Sequence, residues 1–195
     1  TYAAGINSRG DIIGTSAVDD APVHAHAFVY SNGRMTDLGT LGGSYSSAYA
    51  INDAGQIVGH AWGEQGEHAF FYQDGSMTDI GTLGGRRSFA LAINREGVAV
   101  GYADIAGDLE SQAFIYRDGV MSNLNTLIDP ALGWTLYSAT GINDSGQIVG
   151  YGCRGEECGA VLLNMTSTAP EPVSYAMMLT GLGLLGWRAR RRPQA

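Results

Sequence analysis

The sequence predicts an all-β fold, a propeller-like array of four-stranded repeats, with about three and a half repeats in this chain and a short apolar C-terminal helix after them. Three observations carry that prediction. The dipeptide Ile-Asn recurs at 6–7, 51–52, 93–94 and 142–143, at spacings of 45, 42 and 49 residues. Between these marks, apolar residues alternate or run for four to six positions, bounded by Asn, Asp, Gly and Ser. A stretch of fifteen uncharged residues, 173–187, ends in a cluster of arginines. Short antiparallel strands repeating every ~40–50 residues match the blade of a β-propeller.

The second repeat shows each element in turn. Residues 46–51 form a first strand, and Asn52-Asp53-Ala54-Gly55 a tight turn whose glycine suits positive φ. Residues 57–61 are a second strand, 63–67 a polar loop and 68–72 a third strand. Gln73-Asp74-Gly75 makes a hairpin turn, and 76–80 is the fourth strand. Gly-Thr-Leu-Gly-Gly at 39–43 and 81–85 carries the chain from one repeat to the next. Phe28, Phe70 and Phe114, alternating with Tyr30, Tyr72 and Tyr116, are core residues of stacked sheets. The fourth repeat stops after its third strand, at Asn164. The pattern is already running at Tyr2, so an upstream segment is expected, with a strand able to close the array; the signal peptide expected in it is implied by the C-terminal end of the chain. A sandwich or a solenoid would also suit strands, but solenoid coils are usually shorter and each repeat here holds two hairpins.

Composition excludes several classes. Glycine contributes 29 residues and proline 5, which is neither collagen nor a proline-rich linker. An apolar share of 45% against 15% charged residues can bury a core. All 11 basic residues are arginine, and residues 1–169 hold seven of them against eighteen acidic groups, a net charge of −11. Such a surface excludes nucleic acid as the partner, since phosphate binding needs basic groups. There is no Gly-x-Ser-x-Gly elbow, phosphate loop, dinucleotide fingerprint or His-Glu-x-x-His. No catalytic residue, cofactor or metal site is therefore assigned.

Three groups of polar residues remain. Cys153 and Cys158 flank the loop between the second and third strands of the last repeat, placed to form a disulfide in an oxidising compartment. His26 and His68 occupy the repeat position held by Gln112 and Gly159, a series that suits a hydrogen-bonding strand residue better than a ligand or catalyst. Acidic residues recur between second and third strands: Asp19 and Asp20, Glu64 and Glu67, Asp104, Asp108 and Glu110, Glu156 and Glu157. They read as solvated loop charge, or as a negative face for Ca²⁺ or a cationic partner, without EF-hand spacing.

Residues 1–165 resemble the HAF repeat family of bacterial extracellular proteins, through His26-Ala27-Phe28, His68-Ala69-Phe70, Gly-Thr-Leu-Gly-Gly and Ile-Asn-x-x-Gly-x-Ile-Val-Gly. The third copy departs from the pattern with Gln112 and with Leu124-Asn125-Thr126-Leu127. The resemblance implies a secreted or surface location and carries no activity.

The C-terminus reads as an address. As a helix, 173–187 would span about 22 Å, short of the ~30 Å hydrocarbon core, a gap that snorkelling arginines and thinned lipid can narrow. Arg188, Arg190, Arg191 and Arg192, in the basic tail 188–195, place that end in the cytoplasm and the repeats outside. The order of Pro170-Glu171-Pro172 at the end of the 166–172 linker, apolar helix and arginine-rich end resembles a PEP-CTERM sorting signal. That resemblance implies processing by an exosortase-type enzyme, an inner-membrane-anchored precursor held through 173–187, and association with exopolysaccharide. The expected function is an exported, non-enzymatic surface or exopolysaccharide-associated protein; the alternative is a propeller hydrolase or lyase acting on extracellular polysaccharide.

Overall fold

The computed structural model describes residues 1–19, 24–108 and 110–165. Residues Thr1–Asn164 form one unit built from four successive antiparallel meanders. The first contains β1 (Tyr2–Ile6), β2 (Ile12–Ala17), β3 (Ala25–Ser31) and β4 (Arg34–Asp37). The second contains β5 (Gly42–Ile51), β6 (Ile57–Gly63), β7 (Glu67–Gln73) and β8 (Ser76–Asp79). The third contains β9 (Gly84–Ile93), β10 (Ala99–Ile105), β11 (Ser111–Arg117) and β12 (Val120–Asn123). The last is three-stranded: β13 (Thr135–Ile142), β14 (Gln147–Arg154) and β15 (Glu157–Asn164). Asn32-Gly33, Asp74-Gly75 and Asp118-Gly119 all take positive φ, as a two-residue hairpin turn of the primed type requires.

Two elements differ from the sequence expectation. The first strand of the second meander starts at Gly42, not at 46. Thr40 explains this: its Oγ1 donates to the Gly43 carbonyl (2.8 Å) and accepts from the Gly42 N–H (3.3 Å), drawing both glycines into line, with Gly42 opposite Gly63. Thr82 repeats the arrangement with Gly85 and Gly84. The third connection instead carries two 3-10 turns, Leu124–Thr126 and Pro130–Leu132. No pairing joins β1 to β15 among the described residues, so the sheets do not close into a ring there. The expected helix 173–187, Pro170, Glu171, Pro172, Arg188, Arg190, Arg191 and Arg192 lie outside the described residues. No helix among the described residues is long and apolar enough to cross a membrane.

The core sits between meanders. Phe70 reaches back from the second into Ile13, Ala27 and Leu38 of the first. Phe114 does the same from the third into Val58, Ala69 and Ile80 of the second. His-Ala-Phe is therefore a packing code: alternate strand positions face opposite sides, so the alanine receives the next meander while the phenylalanine enters the previous one.

Hydrogen bonds stitch the same junctions. Asn52 Oδ1 accepts from the Ala54 and Gln56 N–H groups, closing its own turn (3.1 and 3.0 Å). Its Nδ2 donates onward to the Asn94 carbonyl (2.9 Å). Asn7 donates likewise to the Asn52 carbonyl (3.2 Å), and Asn94 to that of Asn143 (3.4 Å). Buried Ser46 Oγ donates to the Gly39 carbonyl (2.5 Å) and accepts from the Ala27 N–H (2.8 Å); Ser88 repeats this with Gly81 and Ala69 at the same distances. Ser88→Ala should lower unfolding free energy by about 1–3 kcal/mol, because it leaves the Ala69 N–H buried without an acceptor. An unchanged urea midpoint would show that this serine holds nothing.

Candidate functional site

A cleft of about 470 Å³ opens at the junction of the second and third meanders, lined by Trp62, Glu67, Arg86, Arg87, Asp104 and Asp108, with Gly63 and Gly66. Its size falls within the range of small-ligand sites. Trp62 stands at the end of β6 and Glu67 at the start of β7, so one hairpin presents both. Arg86 and Arg87 lie in β9 just after its opening glycines, and Asp104 lies near the end of β10.

Contacts hold these side chains in fixed roles. Trp62 Nε1 donates to Glu67 Oε1 (3.2 Å), and His60 Nε2 lies 3.0 Å from the same oxygen. Glu67 Oε2 makes no hydrogen bond among the described residues. Arg87 Nε donates to Asp104 Oδ2 (2.8 Å), and Ser111 Oγ to Asp104 Oδ1 (2.6 Å). The hydrogen bond to Asp104, reinforced by its charge, raises the Arg87 guanidinium further above its ordinary pKa. Asp108 Oδ1 accepts from the Arg86 N–H (2.6 Å). The Arg86 side chain has no partner among the described residues and is exposed.

Behind the cleft runs a file of rings: Trp62 against Tyr45 (5.5 Å), Tyr45 against His60 (5.6 Å), His60 against Phe89 (4.8 Å) and Phe89 stacked on Tyr102 (4.9 Å). Such centroid distances are those of favourable aromatic pairs. Burial lowers the His60 pKa, with Glu67 opposing, and its Nδ1 is buried without a hydrogen-bond partner among the described residues. Burial, with Tyr45 next, pushes Tyr49 up to about 12. The cleft therefore combines a rigid apolar wall, one partly exposed indole, arginine donors and carboxylate acceptors.

The other sequence candidates fall elsewhere. His26 and His68 bond through Nδ1 to Asp37 and Asp79 (2.8 Å each), and those aspartates accept from the Gly39 and Gly81 N–H groups (2.7 Å). Gln112 keeps the pattern by accepting from Asn123 (2.6 Å). This position locks the chain as it leaves one meander for the next. Cys153 and Cys158 face each other across the β14–β15 hairpin and are joined by a disulfide, with Cα atoms 4.0 Å apart. Of the recurrent acidic residues, Glu67, Asp104 and Asp108 share the cleft, but each is already engaged. Among the described residues, no group of three or more His, Cys, Asp and Glu is placed to hold a metal ion. Sequence reasoning missed Trp62, Arg86 and Arg87. The available signal was departure from the repeat, since Arg86-Arg87 stands where the preceding repeat has Ser44-Tyr45.

No curated protein matches the chain. The family described as protein of unknown function (DUF3466) matches residues 3–160, nearly the whole of the four meanders, and the chain belongs to that family.

Proposed function

We propose that this is an exported, non-enzymatic saccharide-binding protein of the cell surface or exopolysaccharide matrix, its meanders arranged as blades of a propeller-like array. One observation carries the reading: the cleft that sets the Trp62 indole beside Glu67, Arg87 and Asp104. Apolar C–H faces of a sugar pack on such a ring, while arginine forks and carboxylates divide donor and acceptor duties toward its hydroxyls. The net charge of −11 over residues 1–169 favours a neutral polysaccharide over a polyanion. The Cys153–Cys158 bridge suits an oxidising compartment. The likeness of 1–165 to HAF repeats and of 170–192 to a PEP-CTERM signal supports export, membrane retention through 173–187 and processing by an exosortase-type enzyme.

Titration with neutral glucans and galactomannans, beside alginate as the polyanion, tests the reading. The wild type should bind a neutral polymer without releasing sugar. Trp62→Ala should weaken binding at least tenfold, about 1.4 kcal/mol, with the melting temperature little changed. Sugar release would establish a hydrolase or lyase instead, and binding unaffected by Trp62→Ala would move the site elsewhere.

A further inference from the structure

Two opposite charges meet at the junction of the second and third meanders and are kept apart. β7 and β9 pair there in parallel, Glu67 opposite Arg87. The corresponding pairing of β3 with β5 sets Ala25 opposite Tyr45 and carries no charge. Glu67 and Arg87 are backbone neighbours, yet their side chains bond elsewhere. Glu67 Oε1 accepts from Trp62 Nε1 and faces His60 Nε2. Arg87 Nε turns to Asp104, whose other oxygen accepts from Ser111. Left over are Glu67 Oε2 and the two Nη groups of Arg87, which make no hydrogen bond among the described residues, on two residues lining the same cleft.

The partners that hold the charges apart come from one repeat position. The cross-strand pair there is Ala17–Ala25 in the first meander, Trp62–Glu67 in the second and Asp104–Ser111 in the third. Backbone contacts fix the spacing. A Cβ on Gly66 would lie 2.2 Å from the Arg86 carbonyl oxygen, so the hairpin sits directly on β9. A Cβ on Gly85 would lie 2.5 Å from Asp104 Cβ, so β9 sits as closely on β10.

A group that fills this gap must donate to Glu67 Oε2 and accept from Arg87. A secondary amide does so with two different atoms, whose directions its planarity fixes. A hydroxyl must serve both from one oxygen. An ammonium would satisfy Glu67 but meet the like charge of Arg87, and a carboxylate would meet that of Glu67. Beside the gap, the Trp62 indole is 39% exposed and offers an apolar face.

We infer that the cleft selects an N-acetylhexosamine unit of its polysaccharide. The acetamido N–H donates to Glu67 Oε2, the acetamido carbonyl accepts from Arg87, and the sugar ring lies on Trp62. The inference rests on the saccharide reading above and narrows it to a neutral polymer of acetylated amino sugars.

The test is calorimetric titration of the full 195-residue chain in mild detergent. Oligomers of N-acetylglucosamine and of N-acetylgalactosamine are compared with the matching glucose and galactose oligomers and with the de-N-acetylated forms. One acetylated series should bind about tenfold or more tighter than both of its counterparts, as a site built around a hydrogen-bonding group requires. Glu67→Gln should remove that preference while the melting temperature holds. Its amide oxygen is drawn to the Trp62 N–H, and its NH2 then opposes the acetamido N–H. N-acetylglycinamide, which carries the amide without the ring, should not compete. Equal binding of acetylated and hydroxyl oligomers overturns the inference and leaves the saccharide reading standing. Tighter binding of the de-N-acetylated form overturns it as well, since Glu67 would then hold an ammonium. So does a preference that Glu67→Gln retains, or competition by N-acetylglycinamide, which would make the ligand a peptide. If no saccharide binds, both readings fall together.

Discussion

Gly101→Ala is expected to leave the repeat domain without a stable native state, a loss of more than about 4 kcal/mol. A Cβ built there would lie 1.8 Å from the Phe89 carbonyl oxygen. The obstacle is backbone in the paired strand, so no rotamer change relieves it. The register between β9 and β10 shifts between Val100 and Gly101, and it is this bulge that brings the two chains so close. The geometry recurs: a Cβ at Gly14 would meet the Tyr2 carbonyl oxygen at 1.9 Å, at Gly59 that of Ser47 at 1.9 Å, and at Gly150 that of Ser138 at 2.1 Å. Gly159→Ala is the control, because nothing lies within 4 Å of its Cβ, and it should change stability by less than about 0.5 kcal/mol. Far-ultraviolet circular dichroism and urea unfolding of the soluble fraction read both. A folded Gly101→Ala protein of near-wild-type midpoint would mean that the bulge relaxes at little cost.

Those four glycines also show what could be read without coordinates. Each closes an apolar run at the same place in its repeat, and that regularity reveals a backbone constraint before its cause is visible. The hairpins were legible for a related reason: Asp74-Gly75 and its counterparts are local chemistry, settled by neighbours in sequence. The length of β5 was not, because it depends on where the Thr40 hydroxyl finds partners. Asn52 was legible as a turn residue, yet its amide also reaches the Asn94 carbonyl, a contact across 42 residues. A clue lay in the identity of the residue. Aspartate can accept the turn's own N–H groups, but only asparagine can also donate onward, and asparagine stands at 7, 52, 94 and 143 without exception. The cleft was the least legible part. Repetition draws attention to shared positions, whereas Trp62, Arg86 and Arg87 are where single repeats depart from the pattern.

Phe70→Ala should cost about 3–5 kcal/mol, the usual range for deleting a buried aromatic ring, and should also alter how the protein unfolds. Phe70 is 0% exposed and packs on Ile13, Ala27 and Leu38 of the first meander. Its loss opens a cavity at a junction, not within one sheet. In a repeat array stability is nearly a sum of unit terms and nearest-neighbour contacts, so weakening one contact uncouples what lies on either side. Among the described residues the first meander has a neighbour on one side only, and it holds the exposed Ile6, Tyr30 and Met35. It should therefore open before the rest. Urea unfolding of Phe70→Ala should broaden or split, and hydrogen exchange in β2 and β3 should accelerate well beyond that in β10 and β11. Phe114→Ala removes the equivalent ring one junction later, and there the protection of β6 and β7 should fall together with that of β2 and β3. Phe70→Leu refills part of the cavity and should recover roughly half of the loss. A single sharp transition for Phe70→Ala, with exchange raised evenly through all four meanders, would show that the array unfolds as one body and that its junctions are not the weak planes.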